Sequence, residues 1–347
     1  MLAYVFEGGK KFALKEMPRP LPKKDTFTIK VKACSICGTD FRAFLHGNTK
    51  IVPGTIVGHE VCGEVVEKGE NVNIVNIGDR ITIAPAIGCG ICYSCRQGHP
   101  NMCDNLQTIG FQYDGGFAEY MEVPSQAVIM NNVNQVPDNI SDEEAALTEP
   151  IACVINAQEY LKIGKGDFVA IFGSGFIGCM HAELALASGA DKVIMMEISK
   201  VRADEAKQQV PQIVMIDPSS QDVYKEVDRL TNGRGVDVAI VACSVGKAQT
   251  DALMIAGKRA RISLFGGIPG DATGFLDSNI IHYRELSIHG VHASTPAQNR
   301  KVLTMIASGE INVKKYITRI YPLDEITNAF LAIQNESIMK AVIKPAR

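Results

Sequence analysis

Two groups of metal-binding side chains stand out in this chain. The first is Cys89, Cys92, Cys95 and Cys103, spaced C-x2-C-x2-C-x7-C within Gly88–Cys103. Four thiolates at that spacing can close a tetrahedral shell around one zinc ion, leaving no position for substrate. A metal held in this way is structural. Iron–sulfur clusters also use C-x2-C-x2-C, but the x7 gap and the lack of a Cys-Pro pair speak against one here. The second group is dispersed: Cys37 in Cys-Gly-Thr-Asp, His59 and Glu60 in Gly-His-Glu, and Glu149 before Pro150. A cysteine, a histidine and a carboxylate form a mixed sulfur, nitrogen and oxygen set that suits zinc with one position open. An open position can take a substrate oxygen.

A third motif points to a dinucleotide. Phe168-Val-Ala-Ile-Phe runs into Gly173-Ser-Gly175-Phe176-Ile177-Gly178 and then into a helical pattern. Gly173 suits the tight turn, Gly175 a close backbone approach to a pyrophosphate, and Gly178 close helix–strand packing. Phe176 and Ile177 open the helix, where backbone N–H groups and the helix dipole favour phosphate. Glu197 ends the next strand at the distance expected of a residue that accepts from ribose hydroxyls. A carboxylate there repels a 2′-phosphate, so NAD is favoured over NADP. Lys200 and Arg202 follow closely and could soften that preference, although a solvated positive helix start is the plainer reading.

The elements that must position these residues fall into two styles. Up to about residue 150 the chain is β-rich, with Val/Ile/Thr runs at 26–33, 63–66, 80–84 and 116–123 between turn residues. From Phe168 onward six apolar runs, 168–172, 193–197, 213–216, 236–241, 261–265 and 286–289, alternate with helical patterns such as 177–188 and 248–256. That alternation describes a doubly wound parallel sheet, an α/β arrangement. After about residue 292 a helix at 297–308 leads into short strands, a tail that can rejoin the first domain.

Bulk properties narrow the function. At 347 residues the chain is too long for one average core and fits two domains. A net charge of -3 offers no global basic surface, which argues against nucleic-acid binding. No apolar run reaches the roughly 18 residues of a membrane span, and the first residues lack a signal-peptide pattern. Ten cysteines without such a signal argue against a disulfide framework, so a reducing, cytoplasmic setting is expected. Cys34, Cys62, Cys153, Cys179 and Cys243 lie among apolar or small residues and read as buried thiols.

Taken with Gly58-His59-Glu60-x2-Gly63-x5-Gly69-x2-Val72 and Gly115-Gly116-Phe117-Ala118-Glu119-Tyr120, these motifs resemble the zinc-dependent medium-chain alcohol dehydrogenases. Within them the chain is most similar to the polyol (sorbitol-like) and threonine dehydrogenase branch, over essentially its whole length. The resemblance implies a GroES-like β-rich catalytic domain from residues 1–150 and 292–347, and a Rossmann NAD-binding domain from 151–291. It implies one catalytic and one structural zinc per chain, a small-molecule alcohol or ketone substrate, and a homotetramer or homodimer. Cys37, His59 and Glu149 map onto catalytic zinc ligands, and Glu60 onto a residue that binds zinc or stands behind it. Thr39 maps onto the hydroxyl that hands the substrate proton towards solvent; its plainer reading is a turn cap.

Two departures bear on the substrate. Relatives usually carry histidine at the position of Arg42, where it finishes the proton relay. Arginine cannot serve as an ordinary proton acceptor. It reads either as a surface or phosphate-neutralising residue, or as a group that helps bind an anion on cofactor or substrate. Sorbitol-type relatives also have an aromatic–arginine pair where this chain has Val291-His292-Ala293-Ser294. Sorbitol itself and threonine are therefore less favoured than another polyol or sugar-derived secondary alcohol. The alternatives are a simple secondary-alcohol or threonine-type dehydrogenase, and a catalytically inactive relative that keeps the fold as a binding or structural protein. His289 and His292 flank the strand expected to end near the nicotinamide. His46, His99 and His181 read as surface or packing residues.

Overall fold

Phe27–Ser35 is the strand around which the first part of the molecule is built. Phe27, Ile29, Val31 and Ala33 recur at the period of two and have no exposed surface. In this computed structural model, which describes residues 1–268, 272–336 and 338–345, that strand pairs antiparallel with Glu60–Lys68 along most of its length. The sheet runs Ile317–Pro322, Lys340–Lys344, Phe27–Ser35, Glu60–Lys68, Arg80–Ile83, Val133–Gln135, with Tyr120–Val123 also on Phe27–Ser35. Lys340–Lys344 comes from the far end of the chain and enters through the pairs Val342–Ser35 and Ile343–Cys34. The tail thus rejoins the N-terminal β-rich region. Phe330, on helix Ile326–Asn335, stacks on Phe44 at 4.8 Å within the same core.

Residues 1–153 and 293–347 form this unit, and residues 154–292 form a second. The second holds six strands in the order Val214–Ile216, Lys192–Met196, Phe168–Phe172, Val236–Val241, Ala256–Leu264, Ser287–Gly290. Every neighbouring pair is parallel. The chain winds outward from Phe168–Phe172 in one direction, then crosses back to Val236–Val241 and winds the other way. Ligands of such sheets bind beyond the strand C-termini at that reversal.

Several expected strands have different limits, two of them with a clear cause. Only Tyr120–Val123 of the 116–123 run is a strand. Gly115, Gly116 and Phe117 instead donate to the carbonyls of Ile56, Gly58 and Val57, an irregular segment that offers no continuous ladder. The strand expected at 261–265 begins earlier, at Ala256, because Val236 already pairs with Ala256 before the register shifts to Val238–Arg261. Among the described residues no helix is long and apolar enough to cross a membrane.

Helix Phe176–Ala187 packs on this second sheet and buries His181 completely. The ring meets Phe265 edge-on at 4.9 Å, and Nδ1 lies 3.3 Å from Gln158 Nε2. Burial holds the imidazole pKa down at about 3. The unfolded chain, with an ordinary histidine near 6.5, takes up a proton that the folded chain refuses. Stability from this group is therefore complete above about pH 6.5 and is lost as pH falls towards 3, by at most about 1.4 kcal/mol per pH unit. Denaturation midpoints measured from pH 7 to 5 should fall less steeply in His181→Gln than in the wild type. Equal slopes would contradict the assignment.

Candidate metal and dinucleotide sites

The metal-site donors owe their positions to a helix start and a strand start. Cys37 is the N-cap of helix Gly38–His46: its Sγ accepts from Thr39 N at 3.4 Å, and its own N–H donates to Asp40 Oδ2 at 3.0 Å. This reciprocal pair is a capping box with a thiol in the place of the usual hydroxyl. His59 and Glu60 lie where strand Glu60–Lys68 begins, with Glu60 in register with Ser35. The outcome is that donor atoms of Cys37, His59 and Glu60 lie within 4.8 Å of one another. Asp40, 4% exposed, links two of them. While Oδ2 binds the Cys37 backbone, Oδ1 lies 3.4 Å from His59 Nδ1, a contact held by charge more than by an aligned hydrogen bond. Burial works against charge on His59, yet Asp40 and Cys37 outweigh it and raise the imidazole pKa well above its usual value.

Glu60 has no exposed surface. Its Oε2 accepts from Ser35 Oγ and lies 2.5 Å from Lys340 Nζ, while its Oε1 has no partner. Lys340 also donates to Ile36 O at 2.9 Å. An orphaned carboxylate oxygen beside a thiol and an imidazole suits a divalent cation, so the donor set fits zinc. Glu149 lies outside this set of three. It opens helix Thr148–Leu161, is buried, and its Oε1 accepts from Cys153 Sγ at 3.3 Å. Burial raises its pKa, with His59 opposing and Glu60 adding to the shift. In this geometry Glu60 stands with Cys37 and His59, in keeping with the direct one of its two expected roles, while Glu149 Oε1 faces Cys153. Thr39, half-buried, accepts from Arg42 through its Oγ1 at 3.1 Å.

Cys89, Cys92, Cys95 and Cys103 converge within the same 4.8 Å limit. Backbone amides line the cluster: Cys89 N reaches Cys103 Sγ at 3.2 Å, Cys92 N reaches Cys89 Sγ at 3.4 Å, and Asn105 N reaches Cys103 Sγ at 3.3 Å. Amides of Cys95 and Asp104 draw the Cys92 thiol down to about 6. Amides likewise lower the Cys89 thiol, while burial pushes Cys95 up to about 12 and Cys103 upward. Two of the four sulfurs are thus readied as thiolates, and a cation would have to displace the protons of the others. The four-sulfur geometry fits a closed zinc site.

In the second unit Gly173 adopts φ +99°, which favours glycine, and Gly175 caps helix Phe176–Ala187. A Cβ on Gly178 would lie 2.0 Å from Gly173 O, so the helix packs against the turn as closely as expected. Phe176 and Ile177 occupy the first turn, at positions suited to phosphate. Glu197 is tied down more firmly than the sequence implied. Oε2 accepts from both Ser174 N and Ser174 Oγ at 3.1 Å, and Oε1 accepts from Ser199 N at 2.9 Å. Lys200 pairs with Asp204 at 2.9 Å, while Arg202 is exposed on the same helix. His289 stacks on Tyr160 at 5.5 Å, and His292 is exposed with its carbonyl accepting from Asn156.

Several site residues escaped the sequence reading. Asp40 carried a usable signal, because it stands three residues beyond a capping position. Cys153 stands four residues after Glu149 on one helix, a spacing that puts the two side chains together. Lys340 and Ser35 carried no signal, since only chain pairing brings residues 35, 60 and 340 together. Breaking the Glu60–Lys340 pair leaves a buried charge alone, at a cost of about 3–5 kcal/mol. Lys340→Met should therefore lose about that much stability in chemical denaturation. Adding Glu60→Gln to it should restore most of the loss; a double variant no more stable than the single one would count against the pair.

Residues 23–135 match the alcohol dehydrogenase GroES-like domain, and residues 177–308 match the zinc-binding dehydrogenase domain. Sorbitol dehydrogenase of Halalkalibacterium halodurans is 32% identical over 340 residues, 96% of each chain. L-threonine 3-dehydrogenase of Pyrococcus horikoshii is 37% identical over 325 residues, 91% of this chain and 90% of its own. Among solved structures, one described as a zinc-binding dehydrogenase from Sinorhizobium meliloti 1021 bound to NADP is similar with a TM-score of 0.90, at 31% identity and 99% coverage of both chains. Domain matches on both sides of the Gly173 turn, and relatives above 30% identity along nearly the whole length, lead to one conclusion: the chain belongs to the zinc-dependent medium-chain alcohol dehydrogenases, in the branch with the sorbitol and threonine enzymes.

Proposed function

We infer that the protein uses zinc and NAD to interconvert a secondary alcohol, of polyol or sugar-derived type, and its ketone. The observation that carries this reading is the convergence of the Cys37, His59 and Glu60 donor atoms to within 4.8 Å of one another, with the backbone N–H of Thr39 donating to the Cys37 sulfur. When bound, zinc supplies a Lewis acid for the alcohol oxygen, and NAD supplies the hydride acceptor. The chain supplies the rest. Cys37 and His59 would hold the cation and Glu60 would offer its free Oε1, with the Asp40 carboxylate 3.4 Å from the His59 ring as a charged neighbour. Thr39 Oγ1 accepts from Arg42 and keeps a second lone pair for the substrate hydroxyl, so it would take the proton the alcohol releases while its own hydrogen passes to water. Cys89, Cys92, Cys95 and Cys103 hold a second zinc that takes no part in the reaction.

Two zinc ions per chain are expected by metal analysis. Removal of the more labile one with a chelator should abolish turnover, and Cys37→Ser should lower it by more than about a hundredfold. Activity that survives loss of that metal would sink the mechanism. A panel of polyols, sugar acids, simple secondary alcohols and amino alcohols, each with NAD, identifies the substrate class.

NAD is favoured because Glu197 is fixed at the end of the second strand by three hydrogen bonds. A carboxylate held there meets the 2′-phosphate of NADP as a like charge. The wild type should prefer NAD by about tenfold or more in kcat/KM, and Glu197→Gln should narrow that ratio. An unchanged ratio would assign the selectivity to other residues.

A further inference from the structure

Helix Gly38–His46 buries Asp40 and Ala43. Thr39 and Arg42, three residues apart, are neighbours on its surface. Arg42 is exposed, yet one of its amino groups donates to Thr39 Oγ1 at 3.1 Å, which fixes the guanidinium near the metal donors. Thr39 N in turn donates to Cys37 Sγ at 3.4 Å, so two short contacts separate the guanidinium from a metal-binding sulfur. Among the described residues no carboxylate pairs with Arg42. A guanidinium carries five N–H donors and no acceptor, and Thr39 occupies only part of that capacity. The remaining fork matches the paired oxygens of a carboxylate or phosphate. Gly38 adds no side chain in the way: a Cβ there would come no nearer than 4.0 Å to the arginine.

We propose that Arg42 is an anion receptor beside the Cys37–His59–Glu60 site, binding a carboxylate or phosphate carried by the substrate alcohol. This rests on the dehydrogenase reading above and narrows its substrate class to alcohols that carry an acid group. It also accounts for the arginine's other property. A group that only donates hydrogen bonds cannot accept the proton released by an alcohol, so its value at this position is in binding. Lysine would keep the charge but lose the fork.

The test compares wild type, Arg42→Met and Arg42→Lys in the zinc-loaded protein. Kinetics on matched acid and neutral alcohols (gluconate against sorbitol, 3-hydroxybutyrate against 2-butanol) are measured alongside NADH binding followed by fluorescence. The expected result is a fall of about tenfold or more in the acid-to-neutral ratio of kcat/KM for Arg42→Met, with Arg42→Lys in between. A loss of about tenfold in NADH affinity with an unchanged ratio overturns the proposal, because the arginine then does not act on the substrate's acid group. If both quantities stay within about twofold in Arg42→Met, less than one charged hydrogen bond contributes, the proposal is overturned. Failure of the wild type to oxidise or reduce any alcohol would refute the dehydrogenase reading instead, and calorimetric titration of gluconate into wild type and Arg42→Met would then decide Arg42 alone.

Discussion

A buried ammonium and a buried carboxylate, Lys340 and Glu60, form the contact on which the metal site depends. Neither charge is stable in that position without the other, because burial costs several kcal/mol per ion before any pairing is counted. The pair also reaches across the sequence. Lys340 begins a strand near the C-terminus, Glu60 begins one near the N-terminus, and Ser35 and Ile36 supply the remaining hydrogen-bond partners. Removing the tail would therefore do more than expose core residues. It would leave Glu60 with an uncompensated charge next to Cys37 and His59. The carboxylate that the sequence marks as a possible metal ligand is, in the folded chain, half committed: one oxygen is taken by protein partners and the other is available.

The same economy appears in Asp40, which caps the helix through one oxygen and faces the His59 ring with the other. A local folding device and an electrostatic one are thus a single side chain. The consequence is that the helix start, the thiol and the imidazole cannot move independently. In the second unit Glu197 has an equivalent double role. Its hydrogen bonds to Ser174 and Ser199 join the glycine turn to the loop after the neighbouring strand. The carboxylate that would meet a ribose is therefore pre-positioned before any nucleotide arrives. Both arrangements lower the ordering cost of binding, because the groups that must be fixed already are.

Motifs written in consecutive residues were legible from the sequence: the four-cysteine lobe, the strand–glycine–helix run from Phe168, and the Gly-His-Glu segment. Each depends on short-range geometry, where spacing alone decides which atoms can meet. The six parallel strands were also legible, since strands buried on both faces appear as unbroken apolar runs. Strand limits were less so. Gly116–Glu119 follows strand-like composition, yet the amides of Gly116 and Phe117 go to the irregular 56–58 segment, that of Glu119 goes to Leu2, and Ala118 makes only an isolated bridge to Ala3.

What the sequence determined by itself was the inventory: which residues can bind metal, where phosphate can sit, and which family the chain resembles. Tertiary structure decided how that inventory is shared out. It grouped Glu60 with Cys37 and His59, turned Glu149 to Cys153, and brought in Lys340, about 280 residues away from Glu60 along the chain. The physical reason is that a metal site is defined by atoms within a few ångströms, and strand pairing rather than sequence distance sets those separations. Register, specifically Glu60 opposite Ser35 and Val342 opposite Ser35, is a property of the assembled sheet. No local pattern of residues encodes it.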